Sequence, residues 1–142
     1  MSRYQQQERR NEFLNKIRNL KTLAELKEEW IYNQDGYVSK MAKKVKDEKY
    51  KATQIRKFFD EFKSIQLEYP NYKQSYSKIK ARLLKIKPSL AYATGRDLLP
   101  RWFTDICFAM IDKVTNDEKS FQNFIDIFES LIAYFKYYGG KD

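Results

Sequence analysis

Residues 115–140 read TNDEKSFQNFIDIFESLIAYFKYYGG, and this stretch decides the fold class. Phe121, Phe124, Ile125, Phe128, Ile132 and Phe135 recur three and four residues apart, the spacing of one face of an α-helix. Thr115 and Glu118 stand just ahead of the apolar run and fit a capping box, in which the two side chains satisfy free backbone N–H groups reciprocally. Gly139-Gly140 supplies a left-handed stop, and Lys136 lies in the final turn, where a cation suits the helix dipole.

Working outward, the helical spacing continues almost everywhere. Trp102, Phe103, Ile106, Phe108, Met110, Ile111 and Val114 are apolar around much of the helix circumference, which predicts a buried central helix. Ile79, Leu83, Ile86 and Leu90 form a stripe interrupted by Pro88. The interruption predicts a helix ending near Lys87 and another opening with Pro88 in its first turn. Ile55, Phe58, Phe59, Phe62 and Ile65 form a cleaner stripe, with Thr53 as its expected cap and Pro70 as its end. Asn33-Gln34-Asp35-Gly36 is a turn signal without alternating flanks, so it reads as a helix–helix connection. Tyr37, Val38, Met41 and Val45 follow as a short helix, and Lys46-Asp47-Glu48-Lys49 as a solvated link. Further upstream, Phe13, Leu14, Ile17 and Leu20 are separated from Leu23, Leu26 and Trp30 by a break near Lys21–Thr22. No stretch alternates as a strand does. The expected fold is an all-α compact bundle of about five to seven helices with no sheet.

A chain of 142 residues favours one domain. The reading is a single helical domain over 1–142, with 1–48 as an extra N-terminal helical segment or tail. At this length a chain buries about 68–70% of its unfolded surface, enough for a real core. Only 4 Gly and 3 Pro punctuate it, so long elements are expected. The start, MSRYQQQERR, is polar and lacks a signal-peptide core, and no apolar run approaches a membrane span. The cytoplasm is the expected location, with no membrane contact.

The residue inventory excludes much chemistry. There is no histidine, which removes the usual proton shuttle at neutral pH and the commonest metal ligand. The one cysteine, Cys107, lies in the apolar stretch WFTDICFAMI and reads as a small buried hydrophobe; Asp105 and Asp112 oppose a reactive thiolate. Asp126 and Glu129, or Asp105 and Asp112, share helix faces, but without a nucleophile motif or a phosphate loop they read as solvated charges. No metal-ligand spacing or nucleotide loop is present. The chain is expected to be no enzyme and to carry no cofactor.

Charge points elsewhere. The net charge is +9, from 28 basic and 19 acidic residues. Residues 1–51 carry 13 basic and 8 acidic groups (+5), 52–101 carry 11 and 4 (+7), and 102–142 carry 4 and 7 (−3). A concentrated positive field fits a polyanion, nucleic acid above all; solvated lysine-rich faces are the plainer explanation. The segment KQSYSKIKARLLKIK (73–87) holds six cations and no acid. On a helical wheel Ile79, Leu83 and Ile86 share a face. Lys78, Arg82 and Lys85 line one flank, and Lys73, Lys80 and Lys87 the other. Such a helix docks by its apolar face and offers cations to phosphates, where neutralisation releases counterions. It suits base reading poorly, because lysine is a point charge. Lys49, Lys51, Arg56 and Lys57 form a second set around Thr53, where a helix N-terminus also favours anions, although Arg56 can instead pair with Asp60. Tyr69, Tyr72, Tyr76, Tyr92, Tyr134, Tyr137 and Tyr138 lie among cations and could stack on bases, but most are expected in packing.

Three stretches, ATQIRKFFDEF (52–62), LKIKPSLAYATGR (84–96) and FESLIAYFKYYGGKD (128–142), fall in an order that resembles the small helical subunit of type III-A CRISPR effector complexes, the Csm complexes. The likeness spans roughly 50–142; no match is read over 1–48. It implies a non-catalytic subunit in antiviral defence, several copies of which stack along the guide RNA–target RNA duplex through contacts to its backbone. The implied partners are guide RNA, target RNA, the backbone subunits, the large polymerase-type subunit and further copies of the chain. The basic residues within the matching stretches, Arg56, Lys57, Lys85, Lys87, Arg96 and Lys136, are its implied RNA contacts. Lys78, Lys80 and Arg82 join them from the wheel alone. A subunit serving any guide must leave sequence to base pairing and hold duplex shape and phosphates. Two other classes fit the residues: a helical assembly subunit that touches no RNA, and a helix-turn-helix DNA regulator, against which the bias to lysine counts.

Overall fold

The computed structural model describes residues 12–142. The polar stretch at the N-terminus, residues 1–11, lies outside the described residues. The elements in order are α1 (Glu12–Arg18), a 3-10 turn (Leu23–Glu25), α2 (Glu28–Tyr32), α3 (Tyr37–Asp47), α4 (Ala52–Glu68), α5 (Tyr72–Gly95), α6 (Arg101–Asp112) and α7 (Glu118–Tyr137). The described residues hold helices and no strand, as the periodicity predicts.

Helix α7 is the hub. It packs against α3, the 3-10 turn, α4 and α2, while α6 packs on α1 and α5. The expected central helix, α6, is therefore off-centre, although Phe103, Ile106, Cys107, Met110 and Ile111 are all buried. Phe62, Phe124 and Phe128 form the middle of the core, with ring centroids 4.7–5.2 Å apart in tilted and edge arrangements. Such pairs add roughly 0.5–1.5 kcal/mol beyond area burial. Residues 12–48 contribute Phe13, Leu14, Ile17, Leu23, Leu26 and Ile31 to the same buried cluster.

The helix ends explain several boundaries. Asp117 caps α7 by accepting from the Lys119 N–H, so the expected Thr115–Glu118 box does not form; Glu118 is already the first helical residue. A capping box does form elsewhere, between Thr22 and Glu25 on the 3-10 turn that follows α1. Nor does Thr53 cap α4: that helix opens at Ala52, whose N–H donates to the Lys141 carbonyl at 3.0 Å. Asn71, behind Pro70, caps α5. Gly36 opens α3 and could not be larger, because a β-carbon there would meet the Glu29, Asn33 and Trp30 carbonyls. The predicted glycine stop of α7 holds: Gly139 has φ +86°, its N–H donates to Lys136, and the Gly140 N–H donates to Phe135.

Two other helices end on the same paired bonds without glycine. Lys49 (φ 69°) closes α3 and Asp97 (φ 59°) closes α5. A non-glycine residue in the left-handed region costs roughly 1–2 kcal/mol. The two strained positions are tied together, since the Tyr50 hydroxyl donates to Asp97 Oδ1 at 2.8 Å.

Pro88 overturns the expected break. Helix α5 runs unbroken from Tyr72 to Gly95 with Pro88 inside it. Proline removes the bond to the carbonyl four residues earlier, that of Leu84. Leu84 and Pro88 are both exposed, so water is at hand on that side. Ile86 and Leu90, buried on the opposite side, hold the helix in register across the gap.

Candidate nucleic-acid interface

Helix α5 docks as the wheel requires: Ile79, Leu83, Ile86, Leu90 and Ala93 are buried. Its two flanks meet different neighbours. On one, Arg82 donates to Glu68 at the end of α4, while Lys78 and Lys85 are exposed. On the other, Lys87 donates to Asp112 at 2.6 Å and lies 5.5 Å from the Phe108 ring centre. Exposed pairs of this kind are worth about 0–1 kcal/mol, so Arg82 and Lys87 are held in place without being withdrawn from solvent.

Lys80 is different. Its Nζ donates to the Ile111 carbonyl at 2.6 Å and the Val114 carbonyl at 2.7 Å. Tyr76 donates to the same Val114 carbonyl and Tyr72 to that of Thr115. Tyr72, Tyr76 and Lys80 follow one another a turn apart on α5 and together satisfy the carbonyls where α6 runs into the next loop. Burial pushes the Lys80 ammonium below its usual pKa range. The helical wheel makes Lys80 a free cation on a flank; the structure instead turns it inward to close the end of α6.

The remaining expected RNA contacts gather at one end of the bundle. Helices α4 and α7 run antiparallel, as the Ala52–Lys141 and Gln66–Gln122 bonds show. The Tyr50–Asp97 bond brings the end of α5 beside the start of α4. Arg56, Lys57, Arg96 and Lys136 therefore share this end. Arg56 pairs with Asp142 at 3.0 Å rather than with Asp60, the alternative partner its spacing offers. Lys57, Arg96 and Lys136 are exposed, and none makes an ion pair among the described residues; Arg96 lies 5.8 Å from the Tyr92 ring centre.

The same end holds a cleft of about 520 Å³ lined by Lys46, Asp47, Lys49, Tyr50, Lys51, Gly139, Gly140 and Lys141. Lys49 and Lys51 belong to the second basic set of the sequence; Lys46 and Lys141 do not, and only the fold brings them together. Of the tyrosines, Tyr72 is buried and Tyr69, Tyr76, Tyr134 and Tyr138 are half-buried in packing, while Tyr92 and Tyr137 are exposed.

Carboxylates form no metal-binding group among the described residues. Asp126 accepts from the Tyr32 hydroxyl and from Gln122, and Asp112 is the partner of Lys87. No described helix is long and apolar enough to cross a membrane.

By class this is a small, basic, all-α protein, with cations along one long helix and massed at one end. Its sequence matches the family model Csm2 Type III-A over residues 28–141, and the chain belongs to that family of small subunits of type III-A CRISPR effector complexes. The match reaches back across α2 and α3, beyond the similarity over 50–142 that the three sequence stretches carry. No curated protein and no solved structure matches the chain.

Proposed function

We propose that this subunit is a non-catalytic RNA-binding component of its effector, holding the guide RNA–target RNA duplex by its backbone, several copies stacking along it in antiviral defence. The observation that carries this is that five of the expected RNA contacts, Lys57, Lys78, Lys85, Arg96 and Lys136, are exposed cations without carboxylate partners among the described residues. Arg82, Lys87 and Arg56 reinforce it from exposed ion pairs that a phosphate can replace. Lys80 drops out, because its ammonium is committed to α6.

Lysines along a helix and at a bundle end meet phosphates without reading bases, which suits a subunit that must accept any guide. Leu67, Tyr92 and Tyr137, 67–77% exposed, offer apolar surface to neighbouring copies or to the backbone and large subunits. The cytoplasm is the proposed place of work.

The test neutralises unpaired cations only, so no new acid faces Glu68 or Asp112. Lys57→Gln, Lys78→Gln, Lys85→Gln and Lys136→Gln together are expected to weaken binding to a short RNA duplex at least tenfold at low salt. The slope of affinity against salt should flatten by roughly one for each phosphate that the variant no longer neutralises. Circular dichroism should stay unchanged. Equal affinity and equal slope in the variant would sink the assignment.

A further inference from the structure

The lysine-lined cleft at the basic end is not part of that duplex-facing set. Four of its eight lining residues are lysines: Lys46, Lys49, Lys51 and Lys141. Its one carboxylate, Asp47, is already engaged, 2.7 Å from Lys43 and 3.6 Å from Lys46. Lys43 donates to it, and that bond holds the Asp47 carboxyl below its usual range. Lys49, Lys51 and Lys141 have no ion-pair partner among the described residues.

Three chain segments build the walls: the end of α3, the link 49–51, and the C-terminal tail. The tail is fastened twice, by the Ala52–Lys141 backbone bond and by the Arg56–Asp142 pair. Gly140 is seated on the Phe135 ring so closely that a β-carbon would strike it. The cleft is thus a held shape. Lys49 lines it from a left-handed backbone position that glycine would occupy without strain. Four lysines lining one concavity, with its single carboxylate already engaged, favour an anion carrying several charges in a small volume.

We propose that this cleft binds closely spaced phosphate groups, two or more negative charges within one compact ligand. Two sources share that chemistry: the phosphate chain of a nucleoside polyphosphate, and adjacent phosphates of a sharply turned RNA strand. The second source rests on the RNA-binding reading above; the first does not. The volume lies within the range of small-ligand sites.

The test uses the full chain and titration calorimetry with three probes: inorganic tripolyphosphate, ATP and a twelve-nucleotide single-stranded RNA. Lys49→Gly, Lys51→Gln and Lys141→Gln are combined in one variant; glycine suits the backbone at 49, and the Ala52–Lys141 bond is made by backbone atoms. Lys78→Gln with Lys85→Gln is the comparison variant. The cleft variant is expected to lose at least tenfold in tripolyphosphate affinity while the α5 variant keeps it. A matching loss for ATP assigns the nucleotide source, and a loss for RNA the strand source. If the single-stranded RNA fails to bind the wild type while tripolyphosphate binds in the cleft, the strand source falls and the cleft stands; the duplex reading is decided separately by the duplex titration above. If tripolyphosphate does not bind, or both variants weaken it equally, the cleft proposal is overturned. A higher melting temperature in the cleft variant, with affinity unchanged, also overturns it, since the lysines would then only repel one another.

Discussion

Lys80 of α5 donates to the carbonyl of Val114 at 2.7 Å, across the gap between α5 and the end of α6. A lysine drawn on a solvent-facing flank thus serves as a cap for another helix, and Ile111 shares the same ammonium. Lys80→Met keeps the aliphatic stem but removes both bonds. Hydrogen bonds from a charged group are worth about 1.5–3 kcal/mol, so the variant should lose stability on that scale. Lys78→Met, exposed two residues away, should leave stability within about 0.5 kcal/mol. RNA affinity should move the other way, falling for Lys78→Met and holding for Lys80→Met at temperatures where both are folded. Urea denaturation and duplex binding on the pair check this, and the reverse pattern would restore Lys80 to the interface.

Tyr72, one end of the same row, makes stability sensitive to alkali. Burial first of all pushes its hydroxyl up to about 12, from an ordinary value of 10.0. Below pH 10 folded and unfolded chains both hold the proton, and the contribution is fully present. Above pH 10 the unfolded chain ionises first, so the contribution drains away until the pH passes the folded value. Two units correspond to at most about 3 kcal/mol. Tyr72→Phe should cost about 1 kcal/mol at neutral pH for the lost bond to Thr115. Its stability should also decline less steeply than the wild type's between pH 10 and 12. Parallel urea midpoints across that window would contradict the assignment.

Cys107 should behave as a core atom. It is fully buried, and burial pushes its thiol far above the usual range, so the thiolate is scarce in the folded state. A disulfide reagent at pH 8 should label it only as fast as the protein opens, and at once in guanidinium. Prompt labelling of the native protein would show that the α6 face is open.

Much of this architecture is legible from spacing, and the failures share a cause. The helices, the turn at Asn33–Gly36 and the glycine stop at Gly139 all follow from neighbours within four residues. Pro88 misleads because a proline's local penalty says nothing of Ile86 and Leu90, whose burial on the opposite side sustains α5. The caps move by one or two positions because Thr115 and Asp117 are both competent, and only the start of α7 at Glu118 chooses between them. At the interface, Lys57, Lys78 and Lys136 are readable as exposed cations from their helix faces. The fates of Arg56 and Lys80 are not, because their partners Asp142, Ile111 and Val114 are remote in sequence. The cleft is out of reach for the same reason, since Lys46 and Lys141 meet only when α3 and the C-terminal tail are folded together.

Glu68 gives the sharpest check on the α5 flank. It sits opposite Arg82, and the hydrogen bond it accepts raises the Arg82 pKa further. Both groups are exposed, at 51% and 40% for their side chains, so the pair contributes only about 0–1 kcal/mol to stability. Its larger effect is on the field: a carboxylate beside Lys78, Arg82 and Lys85 repels any phosphate approaching that flank. Glu68→Gln removes the charge and keeps an acceptor for the guanidinium. Stability should change by less than about 1 kcal/mol, while duplex affinity at about 50 mM salt should rise about twofold to fivefold. The gain should shrink at about 300 mM salt as screening shortens the reach of the lost charge. An assembly subunit that never meets RNA predicts no such gain. Unchanged affinity in Glu68→Gln, with Lys78→Met also silent, would therefore move the α5 face from RNA to a protein partner.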